Sequence, residues 1–170
     1  MTAMQLTIPN WEIARGKPCC AVLACAVAAQ RPFLDAWGWM CRQKTKRWRG
    51  VMYDKDKWAL LKYLGVKYKT VEGFSKRKRE NPTLAAWAAT ADPTKLYLIV
   101  TTGHAQTLLN GTVMDQRGPK PLAEYWGRRK HIRFVLEILP AAGQDPATIG
   151  LPLFDFYGAK ACHEMMQFVF

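Results

Sequence analysis

Apolar and polar positions along the chain change period several times, and each change predicts an element. Residues 19–30 (CCAVLACAVAAQ) hold no Gly or Pro and almost nothing polar. That run predicts a helix buried on all sides, whose small side chains let neighbouring elements approach closely. Pro18 suits the start of its first turn, and Pro32 ends it. Residues 33–44 set Phe33, Trp37 and Met40 at spacings of four and three, one face of a second helix. A third helix is expected after Asp54 as its N-cap, carrying Trp58, Leu61 and Leu64 to a stop at Gly65. Residues 66–71 (VKYKTV) alternate, the pattern of a half-buried strand. Residues 82–91 (PTLAAWAATA) predict a short Ala-rich helix ended by Asp92-Pro93.

The second half changes to period two. Residues 95–101 (KLYLIVT) form a β-run that leads into Gly103-His104. Residues 105–109 and 112–115 flank Asn110-Gly111, a strong hairpin signal, because a tight primed turn needs positive φ at both central positions. Residues 131–139 (HIRFVLEIL) predict another strand. Residues 1–17 read as an irregular lead-in. Helices first and a mostly antiparallel sheet afterwards define an α+β fold. There is no internal repeat or low-complexity linker. A chain of 170 residues fits one domain over residues 1–140, with a Pro/Gly/Ala-rich extension at 141–170 packed on it.

Composition narrows the picture. Apolar residues make up 49% and seven Trp are present, which excludes a disordered chain. No stretch reaches the roughly 20 apolar residues that span a bilayer, and residues 1–10 lack a basic start followed by an apolar run. A cytoplasmic protein without membrane contact is the expectation. The five cysteines (Cys19, Cys20, Cys25, Cys41 and Cys162) are odd in number and contain no CxxC pair. That argues against a disulfide framework or a zinc site and for free thiols; no metal or cofactor is called for.

Net charge is +12, gathered in three runs. The first holds Arg42, Lys44, Lys46, Arg47 and Arg49. The second is Lys76, Arg77, Lys78 and Arg79, and the third Arg128, Arg129 and Lys130, continuing to Arg133. Such a field draws nucleic acid or an acidic protein partner. Only Trp48 and Trp126 interleave with the runs, which gives little support to a stacking platform for single strands.

The candidate chemistry lies where helix and hairpin signals carry reactive side chains. Cys20 stands where a helix begins, and unpaired N–H groups with the positive dipole end lower a thiol pKa there. His104 and Asp115 fall on paired strands of one hairpin, offset by about two positions, within reach of a His–carboxylate hydrogen bond. A thiolate, an imidazole and an orienting carboxylate are the parts of nucleophilic acyl transfer. Cys19, adjacent to Cys20, is the alternative nucleophile. Cys25 fits a small core residue, and His131 and His163 fit structural or exposed positions.

Cys20 followed by AVLACA, and GHAQTLLNGTVMD from Gly103 to Asp115, resemble the papain-like cysteine peptidase superfamily. The resemblance covers about residues 16–126. It is closest to small bacterial and phage-type members and to bacteriocin-processing peptidases. It implies a papain-like fold, with an Ala-rich helix carrying the nucleophile against a sheet hairpin carrying His and Asp. It implies cleavage of a polypeptide substrate by Cys20, His104 and Asp115. Two departures matter. The Gln that such enzymes place before the Cys as oxyanion donor is absent: Ala14 stands there, and Asn10 is the nearest amide. The Asp often preceding the nucleophile is Cys19. Either Asn10 or a backbone N–H replaces the donor, or the site is a binding relic. Three functions stay open: a cysteine peptidase, a non-catalytic basic module for nucleic acid or an acidic protein, and a phage particle component.

Overall fold

The computed structural model describes residues 5–45 and 48–140, without the Lys78 side chain. The expected extension at 141–170, with Cys162 and His163, lies outside the described residues, as do Lys46 and Arg47. The chain is α+β. Helices α1 (Cys20–Ala28), α2 (Phe33–Gln43) and α3 (Asp54–Tyr63) precede β1 (Lys67–Val71). A short α4 (Leu84–Ala88) then leads to β2 (Tyr97–Thr101), β3 (His104–Leu109), β4 (Thr112–Asp115), β5 (Gly118–Pro121) and β6 (Ile132–Leu139). The six strands form one antiparallel sheet in the order β1-β6-β2-β3-β4-β5.

Both faces of the sheet are covered, and strand alternation sends side chains to each. From β2, Leu98 and Val100 enter the core beneath α1–α3, while Tyr97 and Ile99 enter a second core with Leu84, Val135 and Tyr125. Helix α1 is the centre of the first core: residues Ala21–Ala28 are all buried. Its Ala and Cys side chains let it lie close against β3. Phe33, Trp37 and Met40 of α2 are buried as their spacing predicts.

Several elements depart from the sequence expectation, each for a physical reason. The N-cap of α3 is Tyr53, not Asp54; the Asp56 carboxylate accepts the Tyr53 N–H at 3.0 Å, so the acid works from inside the first turn. The buried stripe of α3 is Lys57, Leu60 and Leu61, while Trp58 is 37% exposed and packs on Phe134 and Tyr68. Strand β1 is almost wholly exposed rather than half-buried, because it is a sheet edge, where lysines discourage further pairing. The helix expected over 82–91 runs only Leu84–Ala88, its start capped by Thr83. Strand β5 (GPKP) has no strand signal in the sequence. Two prolines argue against a central strand, and β5 is tolerated because it is the other edge.

Among the described residues no helix is long and apolar enough to cross a membrane. Close packing around α1 generates a test. Ala26 is fully buried, so Ala26→Leu overpacks the core and should lower unfolding free energy by about 1–3 kcal/mol, read as a fall in the denaturant midpoint.

Candidate active site

Two tight turns place His104 and Asp115. Thr101 pairs with His104, so Thr102-Gly103 closes the β2–β3 hairpin with Gly103 at φ 72°. Asn110 (φ 46°) and Gly111 (φ 70°) close the β3–β4 hairpin, both left-handed as expected for that turn. The register pairs Thr107 with Met114, which sets Gln106 opposite Asp115 and His104 on the diagonal. Long side chains meet across that offset, and His104 Nε2 lies 3.0 Å from Asp115 Oδ2.

Helix α1 brings the third group. Cys20 is its first residue and half-buried, and its thiol hydrogen-bonds His104. Nε2 is committed to Asp115, so Nδ1 is the ring nitrogen left for the sulfur. The backbone N–H groups of Ala105 and Ala21 also point to that sulfur. Burial pushes the Cys20 thiol up. The His104 hydrogen bond, its positive charge and the two N–H groups outweigh that effect and hold it below the ordinary thiol value. Burial likewise pulls His104 down, but its bonds to Asp115 and Cys20 raise it to about 9. Both shifts favour the thiolate–imidazolium form of the pair.

The adjacent thiols differ sharply. Cys19 is fully buried, donates to Ala14 O at 3.6 Å and is pushed up to about 12 by burial. Cys25 is also buried and pushed up to about 12. Of these three, only Cys20 meets a histidine.

Asp115 is 2% exposed and takes four donors. Besides His104, its Oδ2 accepts Tyr125 OH at 3.0 Å and Trp126 Nε1 at 3.2 Å, and its Oδ1 accepts the Arg117 N–H at 2.7 Å. Burial pushes the carboxyl up, yet these donors and the His104 charge hold it below the usual carboxylate value. The Trp126 ring stands edge-on to His104, 5.1 Å between centroids. Tyr125 is fixed in turn by Gly127, where a Cβ would stand 2.7 Å from the Tyr125 ring. Nothing in the sequence pattern marks Tyr125, and Trp126 stands out there only as an aromatic within a basic run. A Tyr-Trp-Gly step ten residues past Asp115 carries no signal of its own, since only the fold turns it back onto the carboxylate.

The remaining candidates are dispersed. Asn10 caps a 3-10 turn (Trp11–Ala14) in left-handed conformation, and its amide makes no hydrogen bond with Cys20 or His104 among the described residues. Arg42 ends α2, Lys44 pairs with Asp56 at 2.7 Å, and Arg49 is exposed. Lys76 and Arg79 are exposed, and Arg77 pairs with Glu80. Arg128 donates to Ala123 O, Arg129 is exposed, and Lys130 Nζ lies 4.2 Å from the Trp126 ring centre. The second and third runs meet: Asn81 Nδ2 donates to Ile132 O, and His131 Nδ1 donates to Asn81 O at 2.7 Å. The first run instead passes Cys19, which Gly50 touches closely. Among the described residues no group of His, Cys, Asp and Glu is placed to hold a metal ion.

No family model, curated protein or solved structure matches this chain. The fold and the site geometry therefore define its class on their own: an α+β protein with a thiol–imidazole–carboxylate line at a helix N-terminus.

The line generates two tests. Near pH 6, where an ordinary thiol is almost fully protonated, iodoacetamide should label Cys20 faster than Cys25 or Cys41, and His104→Ala should abolish the difference. Peptide mapping by mass spectrometry reads both. Tyr125→Phe removes a donor that competes with His104 for Asp115 Oδ2, which leaves more of the carboxylate's charge on the imidazolium. The alkaline limit of the Cys20–His104 ion pair should then move above about 9, followed by thiolate absorbance or by alkylation against pH.

Proposed function

We propose that the protein is a cysteine peptidase of papain-like architecture, acting on a polypeptide in the cytoplasm. One observation carries the proposal: the hydrogen-bonded line from the Cys20 thiol through the His104 ring to the buried Asp115 carboxylate, begun at the first residue of α1. The chain order Cys, His, Asp and the helix-then-sheet layout support the same reading, as does the resemblance of the Cys20 and Gly103–Asp115 segments to that superfamily.

In this mechanism the Cys20 thiolate attacks the scissile carbonyl carbon, and the C=O electron pair moves onto oxygen. His104 passes its proton to the departing amine as the C–N bond breaks, leaving a thioester on Cys20. Neutral His104 then takes a proton from water, whose oxygen attacks the thioester and expels the thiolate. Asp115 keeps the ring in one orientation and stabilises its positive form throughout.

Stabilisation of the oxyanion falls to the backbone. Ala14, at the position of the family's amide donor, is buried, and its carbonyl accepts the Cys19 thiol. The N–H of Cys20 belongs to the open first turn of α1, which has no intrahelical acceptor. One missing donor costs roughly a hundredfold to a thousandfold in rate, so a slow enzyme is expected.

A second reading, a basic module for nucleic acid or an acidic partner, is favoured by the meeting of the second and third basic runs around Asn81. It assigns no role to Cys20. Cleavage of a diverse peptide mixture, followed by mass spectrometry, separates the two. Cys20→Ala should abolish cleavage, whereas Cys19→Ala should retain it. The rate should rise with pH as Cys20 loses its proton, below the ordinary thiol range, and fall as His104 loses its own near 9. Undiminished cleavage by Cys20→Ala would sink the peptidase reading.

A further inference from the structure

The cations grouped around the Trp126 indole, beside His104, are not those of the first two basic runs. Arg117, in the turn after β4, and Lys120, on β5, line a cleft of about 170 Å³ with Asp115, Glu124, Tyr125 and Trp126. The Arg117 guanidinium carbon lies 4.6 Å from the Trp126 ring centre, and Lys130 Nζ lies 4.2 Å from it. The same indole meets the His104 ring and is 43% exposed. Positive charge is thereby carried to the rim of the imidazole itself.

Some of the other cations are held in ion pairs. Arg31, Lys44, Lys57 and Lys95 each have a carboxylate at 2.7–3.0 Å. Among the described residues, Arg117, Lys120 and Lys130 have none within ion-pair distance. Asp115 makes no ion pair with these side chains: its ion-pair partner is His104, and its other donors are Tyr125, Trp126 and the Arg117 N–H that holds this turn in place. Glu124 is the single other acid in the cleft, against two lining cations and Lys130 beside them. A concave site with that balance concentrates anions.

We infer that this cleft is a specificity subsite for an acidic side chain, the carboxylate of an Asp or Glu in the substrate polypeptide, close to the scissile bond. The inference rests on the peptidase reading and adds what that reading lacks, a preference for sequence. An extended peptide advances about 3.3–3.6 Å per residue, and only the His104 and Trp126 rings separate the thiol from the cleft. The acidic residue therefore lies within a residue or two of the bond cut. The carboxylate is held by Arg117 and Lys120 beside the Trp126 ring.

The test compares three peptidyl acyloxymethyl ketones that differ only in a Glu, Gln or Lys beside the reactive position, with iodoacetamide as a sequence-blind probe. At low salt the Glu probe should label Cys20 roughly 3- to 10-fold faster than the Gln probe, the size expected of exposed ion pairs, with Lys slowest. High salt should shrink the gap. Arg117→Glu combined with Lys120→Glu should reverse the order of Glu and Lys. Lys120→Gln, on the exposed edge strand, should reduce the preference if the double variant does not fold. Lys67→Glu, on the opposite edge, should leave the preference intact. If Cys20 reacts with iodoacetamide no faster than Cys41, the thiolate reading fails. Fast iodoacetamide labelling with equal rates for all three peptide probes overturns the subsite and leaves the peptidase standing. Equal block of all three probes by a short DNA duplex would assign the charge to nucleic acid and likewise overturn it.

Discussion

The Asp115 carboxylate is the constraint on which the rest of the site depends. Removing it from water costs several kcal/mol, and that cost is tolerated only where charge-assisted hydrogen bonds replace hydration. Four do so, from His104, Tyr125, Trp126 and the Arg117 backbone, each of a kind contributing about 1.5–3 kcal/mol. The ionised form wins. Its donors come from β3, from the β4–β5 turn and from the segment after β5, so one buried charge ties one edge of the sheet together. The same charge sets the tautomer, orientation and raised pKa of His104, and through His104 the ionisation of Cys20.

Cys19 and Cys20 show how little chain separates an inert thiol from a reactive one. Successive helical residues point about 100° apart. One sulfur turns into the core, where burial outweighs the Lys17 charge and its own backbone N–H. The other turns to the rim, where an imidazolium and two N–H groups meet it. Burial raises both. What differs is the partner.

Some of the fold and the central line were legible in the sequence, because their determinants are local. Asn110-Gly111 demands a primed turn, a primed turn demands antiparallel neighbours, and the count of residues on either side brings His104 diagonal to Asp115. The Ala-rich run over residues 19–30 admits little but a buried helix, and Pro18 marks its start. Those short-range rules also explain the α+β order. They fail at the edges: Pro119 and Pro121 hide β5, and the alternation of β1 suggests a buried face that an edge strand lacks.

The sequence by itself determined most of the elements, the thiol at a helix start and the offset of His104 from Asp115, since each follows from periodicity or turn geometry within a few residues. Only the tertiary structure decided which cysteine faces the histidine and that Tyr125 and Trp126 close over Asp115. It alone also decided that Arg117, Lys120 and Lys130 gather around one cleft while Arg31, Lys44, Lys57 and Lys95 are paired. Those outcomes depend on which segments the sheet order and the packing of α1 bring together. Contacts between segments distant along the chain leave no periodic trace in it.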